Sequence, residues 1–316
     1  MSIQAVTVSE GSAGKRRINA IDSLSDRASR YTEGYWHRAW RRFRRNRLSL
    51  SALIVLLIII VFVLSANLLS RYVTHMGYAD NHLDDRLKPI FSKPYYLGAD
   101  GNGRDILTRL AFGGRVSLFV AVLASMSILL IGGTIGSVAG FFGGIVDTIG
   151  MRSADVLLSI PGLPLLILVS AFYRPSPAFL ALFIALLSWA GISRLIRGEV
   201  LSLKKRDFIE AARVIGASNT RIIWKHIIPN VLPIIIVWIS IVIPGLILTE
   251  ASLSYLGLGV RVPTPSWGNM LQDAKQYVRV EWTLVFIPGF AIYITVLALY
   301  LVGNGLRDAL DPRLNQ

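Results

Sequence analysis

The chain has 316 residues, 53% of them hydrophobic and 16% charged, against roughly 25% charged in an average soluble domain. Its formal net charge is +14 and it contains no cysteine, which excludes disulfides, thiol catalysis and cysteine-ligated metals. The basic residues gather before the first apolar run and in one later loop, without aromatic-interleaved basic strands or zinc spacing. The composition therefore describes a polytopic membrane protein and excludes nucleic acid as a partner.

Residues 1–33 are polar, rich in Ser and Arg, and lack apolar periodicity, the pattern of a disordered tail. Residues 1–47 hold no short apolar run with a small-residue cleavage site, so no cleavable signal peptide is expected. Gly11 to Lys15 superficially resembles a phosphate loop, but Arg16 follows Lys15 and the G-x-x-x-x-G-K-[ST] spacing fails. The chain thus carries no visible ATPase motif, and any ATP would have to be hydrolysed by a partner. From Tyr35 to Arg47, Trp36, Trp40 and Phe43 alternate with six arginines at helical spacing, predicting an interfacial helix on an anionic cytoplasmic leaflet.

Six apolar runs follow. The first, 48–69, gives about 33 Å of helix, enough for a hydrocarbon core of roughly 30 Å, and the arginines before it place its start in the cytoplasm. The mixed-charge segment 71–114 reads as external. Within it Gly98 to Asp105 lacks the carboxylate order and terminal Glu of a calcium loop, so it is expected to be a glycine-supported turn whose Arg104 and Asp105 open the next helix. The second span is expected over 116–140. Gly132, Gly136, Gly140 and Gly144 recur every fourth residue and predict close helix packing along one face, in preference to a glycine-rich kink.

The third span, 155–173, contains Pro161 and Pro164, which should bend it or delay its start, and Pro175 and Pro177 mark a turn before the fourth, 176–193. Arg194 and Arg197 return the chain to the cytoplasm, and from there to Lys225 eight Lys or Arg residues face three acids, Glu199, Asp207 and Glu210. The fifth span, 231–249, is expected to be broken at Pro233 and Pro244-Gly245; residues 250–282 read as external, and the sixth span as 283–303. Residues 1–47, 48–113, 114–306 and 307–316 divide the chain into a cytoplasmic tail with its interfacial helix, a first span with external segment, a core, and a cytoplasmic tail.

In the charged loop, Glu210 through Ile215 are mostly good helix formers, Gly216 can adopt a left-handed conformation, and Ala217 to Ile228 can form a second short helix ending at Pro229. Ile222, Ile223 and Ile227 make its apolar stripe, with Arg213, Arg221 and Lys225 on the wet side. Such a helix can dock in a groove of a soluble partner or lie at headgroup level.

Glu210-Ala211-Ala212, with Gly216 six and Pro229 nineteen residues after Glu210, resembles the EAA loop of permease subunits of ATP-binding-cassette importers. Gly98-Ala99-Asp100 through Arg104-Asp105, Gly113 to Leu118, Ser188-Trp189, Arg197-Gly198, Leu201 to Lys204, Leu253 to Gly259 and Gly303 to Pro312 are similar to the C-type permease of oligopeptide and dipeptide importers. The likeness covers about residues 35 to 312. His226 stands where the general pattern has Ile, and Ile228 where it has Leu, a departure that suits the oligopeptide subgroup.

That resemblance implies an all-α integral membrane protein of six transmembrane helices with the type I importer permease fold, both termini cytoplasmic, in a bacterial inner membrane. It implies a B-type permease subunit, two ATP-binding subunits, an external solute-binding protein and a peptide substrate as partners. No cofactor is expected in this chain, since ATP and Mg would be bound by the partner subunits. Glu210, Ala211, Ala212 and Gly216, with the adjoining Ala217 and Arg221, would form the ATPase-coupling loop of 197–229. An ion-coupled secondary transporter is the alternative, but the six apolar runs contain no Asp, Glu, Lys, Arg or His between their ends. His37, His75, His82 and His226 fall in separate segments with no G-x-S-x-G or H-E-x-x-H, which argues against an enzyme and a metal site.

Overall fold

The computed structural model describes residues 35–172 and 176–310. The tail of 1–33, the phosphate-loop look-alike, Pro175, and Asp311 and Pro312 of the C-terminal motif lie outside the described residues. Helix α1 (Tyr35–Arg45) leads into α2 (Arg47–Leu64), whose first turn is capped by Asn46 Oδ1 accepting from Ser49 N at 3.2 Å. A further turn, Ala66–Leu69, and a widened one, Ser70–Thr74, extend it.

Helix α3 (Ile106–Phe142) begins ten residues ahead of the expected 116, so the 113/114 boundary falls inside it. The extension is built by Asp105, whose Oδ2 accepts from Thr108 N at 2.7 Å and caps a turn that hydropathy alone leaves unassigned. Gly103, at φ +74, makes the preceding turn possible; a Cβ there would lie 1.7 Å from His82 O.

The third span is not a single rod from 155 to 173. Helix α4 (Gly144–Ser159) and α5 (Gly162–Phe172) meet at 79°, where Pro161 interrupts the hydrogen-bond ladder. The fourth is bent too: α6 (Pro177–Ser188), started by the Ser176 cap, and α7 (Ala190–Leu203) diverge by 52° at Trp189.

The expected break of the fifth span is absent. Residues 219–255 form one helix, α9 (Asn219–Tyr255), running through Pro229, Pro233 and Pro244. Pro229 does not end the second helix of the charged loop because the widened π turn Ile223–Ile227 precedes it, loosening the ladder where the proline ring must fit. The segment 250–282 is not a plain loop: Glu250 to Tyr255 complete α9, and a short helix, α10 (Trp267–Ala274), packs back on the bundle with Trp267 1% exposed. Helix α11 (Thr283–Leu310) then runs past the expected end at 303.

Four helices are long and apolar enough to cross a membrane, and up to six spans result if each bent pair counts as one. The centre is α3, which touches α2, α4, α6, α7, α9 and α10, while α11 packs on α1, α2, α9 and α10. Among the described residues the structure is helical, apart from one antiparallel bridge between Ala99 and Asp105.

Candidate functional site

The charged loop folds as a helical hairpin. Helix α8 (Asp207–Val214) ends in a Schellman turn, with Ala217 N donating to Ala212 O at 3.0 Å and Gly216 N to Arg213 O at 2.9 Å. Gly216 takes φ +81, and a Cβ there would meet nothing within 4 Å, so its backbone conformation, not crowding, requires glycine. Ser218 Oγ accepts from Arg221 N at 3.3 Å and starts α9.

One side of the hairpin is fixed to the bundle. Ile209, Ile222 and Ile227 are fully buried and Ala212 nearly so, while Arg213 and Lys204 each lie 5.8 Å from the Phe141 ring centroid at the end of α3. The other side is open. Glu210, Ala211, Gly216 and Arg221 are exposed, Ala217 partly so, and the tip presents apolar side chains: Val214 is 87% and Ile215 83% exposed. Trp224 and Phe208 are also exposed on the hairpin. These four residues escaped the sequence reading, which treated the outward face as charged; the adjacent Val214 and Ile215, placed just before a turn glycine, were the available signal.

The hairpin continues from α7, which lies directly against α3. A Cβ on Gly132 would fall 2.5 Å from Trp189 O, on Gly136 2.3 Å from Ser193 O, and on Gly140 3.0 Å from Arg197 O, so three glycines four apart face three carbonyls four apart. Gly144 leaves this row: it starts α4 at φ +57 with nothing within 4 Å, because the chain turns at Gly143. From α4, Asp147 accepts bidentate bonds of 2.5 and 2.6 Å from Arg197, and Asp155 accepts one from Arg194.

At the other end of α9 sits a buried carboxylate group that the sequence reading left outside the helix. Glu250 is fully buried; its Oε2 accepts from Ser117 Oγ at 2.7 Å and its Oε1 from Ser254 Oγ at 2.6 Å. Ser117 Oγ in turn accepts from Trp267 N at 3.2 Å, and Trp267 Nε1 donates to Leu110 O at 2.9 Å, so α3, α9 and α10 share one polar contact. Glu250 directly follows the apolar run that ends at Thr249, so hydropathy alone leaves it outside that run.

Arg104 donates to Asp100 and Asp273, both at 2.7 Å, binding the 71–105 segment to α10, and Arg109 of α3 approaches the same Asp273 oxygen at 3.3 Å. In that segment Lys88, 2.5 Å from Asp85, holds the Asp85 carboxyl below its ordinary range, with the Tyr95 hydroxyl adding to the effect. Burial, with Asp85 beside it, pushes the Tyr95 hydroxyl up. Burial also raises Asp105, against its bonds to Thr108. Among the described residues no group of three or more His, Asp or Glu side chains is placed to hold a metal.

Residues 132–316 match the family described as "Binding-protein-dependent transport system inner membrane component", and residues 34–89 match the "N-terminal TM domain of oligopeptide transport permease C". The chain is 39% identical over 299 residues to the oligopeptide transport system permease protein OppC of Bacillus subtilis, covering 94% of this chain and 95% of that one. It is 36% identical over 293 residues to the dipeptide transport system permease protein DppC of the same organism, covering 92% and 90%. A solved structure of the MetNI methionine ABC transporter in inward-facing conformations aligns with a TM-score of 0.50 at 19% identity, covering 64% of this chain and 96% of that chain, a likeness of fold.

Proposed function

This chain belongs to the binding-protein-dependent transport inner membrane component family, and on that premise we propose that it is the C-type permease subunit of an ATP-driven peptide importer in a bacterial inner membrane. It forms half of a translocation path with a second permease subunit, receives peptide from an external binding protein, and takes its energy from two ATP-binding subunits. The α8–α9 hairpin faces the cytoplasm and inserts into one of them.

The observation that carries this reading is the exposed apolar tip, Val214 and Ile215, on a turn fixed by two backbone hydrogen bonds. An apolar pair this exposed, outside the long apolar helices, suits burial in a protein cleft. Ala211, small and exposed, permits close approach, and Glu210 and Arg221 supply charged contacts around the tip. Coupling then follows from continuity. Helix α9 is 37 residues long, about 56 Å at 1.5 Å per residue, and it joins the hairpin to Glu250 without an intervening loop. When ATP closes the two ATP-binding subunits, the hairpin moves with its cleft, and α9 carries the displacement to the contact with Ser117 and Trp267. The two ends thus bias one equilibrium between inward and outward states.

The ion-coupled alternative gives way to this family membership. Because the chain contains no cysteine, Ile215→Cys gives this subunit a single thiol to carry a cross-linker into the assembled complex. Adducts with an ATP-binding subunit are expected. Adducts formed only with lipid or with the binding protein would overturn the reading.

A further inference from the structure

Helix α1 is not simply laid along the bundle. Its Ala39 and Phe43 are buried against α11, while Trp40 on the neighbouring face stays 53% exposed. Between them, Trp40, Phe43, Leu53, Val302 and Leu306 line an apolar groove of about 230 Å³ where α1, α2 and α11 converge. Its walls offer an ion nothing to bind, but they suit a hydrocarbon chain.

The charge around this groove is predominantly positive. Arg38, Arg41, Arg42, Arg44, Arg45 and Arg47 fall within ten residues, and no acidic residue occurs from 35 to 69. Arg44 follows Trp40 by four positions and so lies on the same helical face one turn on. Arg45 and Arg47 flank Asn46, where the chain passes from α1 into α2, and all three arginines are exposed. On α11 the adjacent charges are Arg307 and one acid, Asp308.

We propose that this groove is a binding site for one anionic phospholipid, whose acyl chain lies along Trp40, Phe43 and Leu306 and whose phosphate is held by Arg44, Arg45 and Arg47. Arginine gives the phosphate planar, multiple donors, and Trp40 marks the depth at which chain gives way to headgroup. The site anchors α1 to the end of α11 and is independent of the hairpin and its partner.

The test uses the full chain in its purified complex, equilibrated in mixed micelles with equimolar phosphatidylglycerol and phosphatidylcholine, with retained lipid counted by native mass spectrometry. One phosphatidylglycerol retained in preference to phosphatidylcholine is expected. Arg44→Gln, Arg45→Gln and Arg47→Gln combined should lower phosphatidylglycerol retention, by up to about fivefold per arginine, and leave phosphatidylcholine unchanged. Leu306→Trp, which fills the groove, should reduce both lipids; should that variant misfold, the arginine set decides alone. Equal retention of the two lipids by the wild type, an unaltered preference in the arginine variant, or displacement by inorganic phosphate would each overturn the proposal, the last by revealing an ion site.

Discussion

Glu250 Oε2 accepts a hydrogen bond of 2.7 Å from Ser117 Oγ, joining α9 to α3 across 133 residues of sequence. Because Ser117 also accepts from Trp267 N, this carboxyl group indirectly holds α10 in place. Its removal therefore affects three helices at once.

Glu250→Ala leaves the Ser117 and Ser254 hydroxyls without their acceptor in a dry interior, at about 1–3 kcal/mol for each buried group left unpaired. The thermal midpoint of the purified protein in detergent should fall, and Glu250→Gln, which keeps an acceptor, should fall less. An alanine variant as stable as the wild type would show the contact to be dispensable.

Gly136→Ala places a methyl group 2.3 Å from Ser193 O, a backbone atom that cannot swing aside. Helices α3 and α7 must separate, with a cost of about 1–3 kcal/mol, the range for overpacked cores. Gly133→Ala is the control, since its Cβ meets only side-chain atoms at 3.5 Å. Equal thermal stability of the two variants would refute close approach at Gly136.

Gly216→Val meets no steric neighbour but forces a β-branched residue to φ +81, which costs on the order of 1–3 kcal/mol locally. The Schellman turn should loosen while the long helices persist, so membrane insertion is retained and ATP-driven peptide uptake falls. Uptake at the wild-type rate would exclude the turn from coupling.

Val214→Asp with Ile215→Asp leaves the fold intact, because both side chains are more than four-fifths exposed. Co-purification of the ATP-binding subunits should drop at least tenfold, as expected when apolar contacts in a cleft are replaced by charge. Undiminished recovery of those subunits would place the docking surface elsewhere.

Acidification should act on the 71–105 segment in two steps of opposite sign. Asp105 has its carboxyl raised by burial, so folding gains as pH falls through that raised value toward the unfolded value of about 3.9. Asp85 is lowered by Lys88, so its contribution is present above about 3.9 and is lost as pH falls further through its folded value. Hydrogen-exchange protection of the segment, relative to the intrinsic rate at each pH, should rise and then fall, Asp105→Asn abolishing the first change and Asp85→Asn the second. A monotonic profile unaffected by either substitution would contradict this assignment.

Sequence alone determined the number of apolar runs, the helix–turn–helix of the charged loop and the glycine at its turn. These features rest on local quantities: the free energy of moving a side chain out of water, helix propensity, and the backbone freedom of Gly216. The family resemblance added the expected partner for that hairpin.

Tertiary structure decided where the rods bend and which polar groups are buried. Pro161 coincides with a 79° bend, whereas Pro233 and Pro244 lie within a continuous helix, since a missing backbone bond breaks a helix only where packing does not hold its two halves in line. Glu250 ends an apolar run and so reads as a solvated helix-end charge until Ser117 and Trp267, remote in sequence, close over it. Gly144 continues the four-residue spacing of its predecessors yet leaves their face, because a spacing rule holds only as long as the helix that carries it.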